Sequence, residues 1–143
     1  MPYEYLGDIA IADIAFEARA DTREALFVEA GEALMNVMVE SLQLIRPRER
    51  RTLHVEAESL ERLLFEYLQQ FIFFKDAEQL LLRVSEVAIG EEGGRLDLRA
   101  EATGEKIDPA RHDLNADVKA VTLHRFQVRR GPEGWKATVV LDI

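Results

Sequence analysis

Apolar residues in this chain follow two periods, and the change from one to the other divides it. Leu26, Ala30, Ala33, Leu34, Val37 and Met38 recur every three or four positions, the spacing of one helix face, and predict a helix running to about Val39. Asp21-Thr22-Arg23-Glu24 in front of it resembles a capping box with Asp21 as the cap. The basic run Arg46-Pro47-Arg48-Glu49-Arg50-Arg51 then interrupts the pattern and reads as a solvated loop. Leu53, Val55 and Ala57 alternate with His54 and Glu56, as in a strand. Ser59 can cap a second helix, whose apolar face comprises Leu60, Leu63, Leu64, Tyr67, Leu68, Phe71 and Ile72. That helix is expected to end after Phe73 and Phe74, where the charge of Lys75 suits a helix C-terminus.

Beyond that point the period drops from 3.6 to 2. Leu80, Leu82 and Val84, then Val87 and Ile89, then Leu96, Leu98, Ala100 and Ala102, then Val118 to Val128, then Trp135 to Ile143 all read as strands. Gly93-Gly94 and Gly131-Pro132-Glu133-Gly134 look like hairpin turns. Asp13, in Ala12-Asp13-Ile14-Ala15-Phe16, lies on an earlier strand, on the parity opposite Ile14 and Phe16. The expectation is a single α+β domain over 1–143, with a largely antiparallel or mixed sheet and two helices packed on one face. One long irregular segment, between Gly104 and Asp117, is a candidate for function because ordered long loops in compact domains often carry it.

Composition narrows the classes. The chain has 143 residues, a net charge of -9 and no cysteine, which excludes a disulfide framework or a thiolate zinc site. Such acidity opposes unaided nucleic-acid binding and suits cations and basic protein surfaces. No apolar stretch is long enough for a membrane helix, and the start carries no secretory pattern, so a cytoplasmic location is expected.

Candidate chemistry gathers at the two ends. In the final run Trp135, Ala137, Val139, Leu141 and Ile143 alternate with Lys136, Thr138, Val140 and Asp142, so an ordered end would place the Asp142 side chain beside the carboxylate of Ile143. If the strand bearing Asp13 lies close, the result is an all-oxygen donor set of the kind calcium and magnesium prefer. Lys119 could balance those charges or reach a phosphate. His112, in the long loop, and His124 lack the spacing and the third nitrogen of a zinc site.

Four stretches in order, Ala12-Asp13-Ile14-Ala15-Phe16, Asp108-Pro109-Ala110-Arg111-His112, Val118-Lys119-Ala120-Val121-Thr122-Leu123-His124 and Leu141-Asp142-Ile143, resemble the archease family over essentially the whole chain. The resemblance implies an accessory protein, with no catalytic residue of its own, that assists an RtcB-type RNA ligase in tRNA splicing and RNA repair. In that family the ligase guanylylates its own histidine using GTP and divalent metal, and archease promotes this step and multiple turnover. The resemblance also implies a divalent cation, calcium in family structures and with magnesium or manganese as alternatives, bound through Asp13, Asp142 and Ile143. It implies RNA contact only through the ligase; beside it, the residues themselves suggest a role toward partner or nucleotide for Lys119 and His112. Two departures stand out: Ala10-Ile11-Ala12 replaces a usual His-Thr-Ala before the aspartate, and Leu123 replaces a frequent tyrosine. A competing expectation is a metal-dependent enzyme acting on a phosphorylated small molecule or nucleotide, since paired carboxylates and a lysine also serve hydrolysis.

Overall fold

A computed structural model describes residues 2–7 and 13–143. The elements are β1 (Tyr3–Leu6), β2 (Asp13–Ala20), α1 (Arg23–Met38), a 3-10 turn (Leu42–Leu44), β3 (Glu49–Ala57), α2 (Leu60–Glu78), β4 (Leu80–Val84), β5 (Ala88–Glu92), β6 (Arg95–Lys106), β7 (Ala120–Gly131) and β8 (Gly134–Asp142). Both helices begin where the sequence places them, but Thr22 rather than Asp21 caps α1: its hydroxyl accepts from the Ala25 N–H at 3.1 Å. Ser59 caps α2 as expected, accepting from the Arg62 N–H. The second helix runs beyond Phe74 to Glu78, and Gln79 ends it in the left-handed conformation, φ 57°.

The α+β expectation holds, with the strands divided between two antiparallel sheets. One has the order β1-β2-β8-β7. In the other, the twelve-residue β6 is central, with β3 along one edge and β4 followed by β5 along the other. Each helix touches both sheets, and one core joins Leu26, Phe27 and Leu34 of α1, Leu64, Tyr67 and Phe71 of α2, Phe16 and Val139 of the first sheet, and Leu53 and Leu98 of the second. The strand expected from Leu53 begins already at Glu49, so half of the basic run is paired backbone. Among the described residues no helix is long and apolar enough to cross a membrane.

Strand β7 is the outer strand of its sheet, and helix α2 blunts it. Gln69 accepts the Val121 N–H at 3.1 Å and Glu61 accepts the Val128 N–H at 3.0 Å, occupying edge donors that would otherwise invite another strand. Between those two bonds the register slips from Thr122 to Gln127, Arg125 takes φ 55°, and Leu123 and His124 protrude into solvent.

Gly104 of β6 lies across from Leu82 of β4. A Cβ there would lie 1.8 Å from the carbonyl oxygen of Leu81, against backbone that can yield only if the ladder shifts. Gly104→Ala is therefore expected to destabilise the protein by about 1–3 kcal/mol, read as a lower denaturant midpoint at unchanged slope. An unchanged midpoint would contradict this packing account.

Candidate functional site

Strands β2 and β8 pair so that Asp13 is the direct cross-strand partner of Asp142. Directly opposed residues of an antiparallel pair project to the same face, with Cβ atoms roughly 4.5–5.5 Å apart. The register follows from the core: Phe16 opposite Val139 and Ala18 opposite Ala137 turn inward, so alternation turns Asp13 and Asp142 to the other face. Both are half-buried, as is Ile143. No cationic side chain lies within 4.0 Å of either aspartate among the described residues, although Glu17 on the same face approaches Lys136 at 3.8 Å and also pairs with Arg19.

The surroundings add polar atoms. Ala120 of β7 lies across from Asp142 on the third strand, and one row further along, the buried Thr122 hydroxyl has no hydrogen-bond partner among the described residues. A concavity of about 340 Å³ opens at Asp13, lined also by Tyr5, Leu6, Asn36 and Asn115. Asn36 spends its amide on the last turn of α1, donating to the Val39 and Glu40 carbonyls at 3.0 Å while accepting from the Tyr3 hydroxyl. Asn115 donates to Glu40 at 2.8 Å. No group of three His, Cys, Asp or Glu side chains suited to a metal occurs among the described residues. A cation at this place would therefore need main-chain or terminal oxygens, water or a partner's atoms besides the two aspartates. The donors present are oxygens and half-exposed, which fits a hard divalent ion with an open coordination sphere.

Lys119 is exposed, without a carboxylate within 4.0 Å among the described residues, and its backbone N–H donates to the Asp142 carbonyl at 2.8 Å. The lysine and the aspartate pair are thus joined through main chain. His112 is placed differently. Its side chain has no solvent exposure, its Nδ1 accepts the Asp108 N–H at 2.9 Å, and its Nε2 lies 3.0 Å from Glu105. It organises the loop and presents no surface to a ligand. His124 sits exposed in the β7 bulge, and His54 lies on the solvent side of β3, 4.0 Å from Asp97. Ala10, Ile11 and Ala12, where the sequence departs from the usual His-Thr-Ala, lie outside the described residues.

Sequence reasoning passed over Glu105, the floor of the long loop. This buried carboxylate accepts from the Arg111 guanidinium, the Arg46 backbone N–H at 2.8 Å and His112, with Arg48 at 3.8 Å. Arg111 also donates to the Leu44 carbonyl at 2.7 Å, so the loop is fastened to the segment after α1. Burial by itself raises the Glu105 pKa, but the bonds from Arg111, Arg46 and His112 and the Arg111 charge outweigh it and hold the group at about 2. The only available signal was an acidic residue preceding an Arg-His pair in one loop, too common a pattern to single out.

Because the folded value lies below the ordinary 4.5, this carboxylate contributes stability that is complete above about pH 4.5 and lost as pH falls toward 2. Glu105→Gln should remove that part of the acid dependence: in urea titrations, stability of the variant should fall less between pH 5 and 2 than that of wild type. Equal slopes would contradict the network.

The Archease protein family profile matches residues 3–143. The protein archease of Pyrococcus furiosus is 36% identical over 133 residues, covering 92% of this chain and 93% of that one. The solution structure of Methanobacterium thermoautotrophicum protein 1598 superposes with a TM-score of 0.85 at 31% identity, over 99% of each chain. The crystal structure of an archease, described as a possible chaperone, from Thermotoga maritima gives a TM-score of 0.62 at 22% identity over 94% of this chain and 93% of that one, a likeness of fold.

Proposed function

Since this chain belongs to the archease family, we propose that it is a non-catalytic activator of an RtcB-type RNA ligase, promoting guanylylation of the ligase and its multiple turnover. The observation that supports this most is the direct opposition of Asp13 and Asp142 on one sheet face. With oxygen from Ile143, next in the chain, they offer a donor set for a divalent cation, calcium, magnesium or manganese. A cation bound there supplies positive charge against which a nucleotide phosphate can be held.

The chain's own residues have separable parts in this reading. Asp13 and Asp142 hold the cation. Lys119, exposed and tethered by its N–H to the Asp142 carbonyl, reaches outward toward phosphate as a point charge. His112 acts from inside, keeping the Asp108–Asp117 loop in shape around Glu105. The net charge of -9 keeps RNA at a distance, so RNA is met through the ligase; the setting in this reading is the cytoplasm, away from membranes.

The test is ligase guanylylation and RNA joining with substoichiometric ligase, with and without this protein. Wild type is expected to accelerate both, while Asp13→Ala and Asp142→Ala lose at least tenfold of the acceleration. No acceleration by wild type, or full acceleration by either variant, would contradict the proposal. Nucleotide hydrolysis by the isolated protein, abolished by Asp13→Asn, would favour an enzyme in its own right.

A further inference from the structure

Lys75, in the last turn of α2, is only 6% exposed, in a chain whose other lysines are exposed. Its ammonium donates to the Asp117 carboxylate, to the Val118 carbonyl at 2.7 Å and lies 3.1 Å from Asp76. An ammonium group has three protons; here it makes two hydrogen bonds, to Asp117 and Val118, with the Asp76 carboxylate at ion-pair distance. The two acceptors belong to consecutive residues of the segment that leads into β7. The next residue is Lys119, whose N–H is bonded to the Asp142 carbonyl at 2.8 Å.

A helix C-terminus attracts a lysine without burying it, so favourable helix electrostatics do not account for this one. Desolvating an ammonium is costly unless it is fully bonded, and the bonds it makes here reach 42 and 43 positions along the chain. We propose that Lys75 is the positioning residue of the Asp13/Asp142 site: by clamping Asp117 and Val118 to α2, it fixes the main chain at Lys119, which in turn pins the last residue of β8 so that Asp142 stays opposite Asp13. The inference rests on the cation reading given above. It assigns to that site a support that touches neither cation nor carboxylates, the kind of outer contact whose loss typically weakens metal binding by 10- to 100-fold.

The substitution is Lys75→Met, which keeps an unbranched buried side chain and removes the ammonium, with Leu98→Val in the core of the other sheet as a control for general destabilisation. Two quantities are measured on each full-length protein: Mn²⁺ affinity by calorimetry, and hydrogen exchange of the Lys119 amide without metal. Lys75→Met is expected to weaken Mn²⁺ binding about tenfold or more and to speed Lys119 exchange by a similar factor, while Leu98→Val leaves Mn²⁺ affinity within about twofold of wild type. If wild type binds and Lys75→Met binds as well as wild type, or no worse than Leu98→Val, the positioning role is overturned while the cation reading survives. If wild type itself binds no Mn²⁺, the cation reading falls and this role falls with it. A Lys119 amide that exchanges at the wild-type rate in Lys75→Met would overturn the clamp whatever the metal does.

Discussion

The register of β2 on β8 is the constraint on which the rest of the site depends. It places Phe16 opposite Val139 and Ile14 opposite Leu141 on the inner face, and the same alternation places Asp13 opposite Asp142 on the outer one. The magnitudes show which side of that bargain decides. Fully burying side chains such as Phe16, Val139 and Leu141 is worth roughly 1.5–3 kcal/mol each, whereas like charges directly opposed across a strand pair cost only about 0.2–1 kcal/mol. The core sets the register and the carboxylates bear its consequence. A slip of one residue would reverse every side chain and remove the core and the acidic pair together.

Around this pairing the fold uses polar bonds to hold backbone that no sheet holds. The stretch from Ile107 to Lys119 has little regular structure, and it is fastened at both ends. Near its start, Glu105 gathers Arg111, His112 and the Arg46 N–H; near its end, Lys75 gathers Asp117 and Val118. Between them the backbone follows the end of α1, through the bonds of Glu40 to Asp113 and of Asn115 to Met38. A loop anchored in this way can bring Lys119 and Asn115 beside the aspartates reproducibly while keeping their side chains toward solvent, as a surface for a partner requires.

Periodicity carried most of the fold into view. Helical spacing marked both helices, and alternation marked most of the strands, because burial of one face imposes those periods directly. What alternation does not encode is which strands share a sheet, so one sheet was expected where two form. Nor does it mark boundaries made by single hydrogen bonds, and the α1 cap fell to Thr22 rather than its acidic neighbour. At the site, the parity of Asp13 and Asp142 was legible in the alternation around them, and their being neighbours was suggested by resemblance. The roles of Glu105 and Lys75 were hidden, since a buried charge looks like any other charge until its partners, distant in sequence, are brought to it. His112 illustrates the converse: a role toward partner or nucleotide was expected of it, and the fold buries its side chain completely.

The central claim is that the two opposed aspartates form a cation site on the first sheet. Anomalous diffraction from crystals grown with Mn²⁺ tests it most directly. The expected result is a peak beside the carboxylates of Asp13 and Asp142, lost in Asp13→Ala crystals. Mn²⁺ density confined to other acidic side chains, with that position vacant at saturating metal, would contradict it.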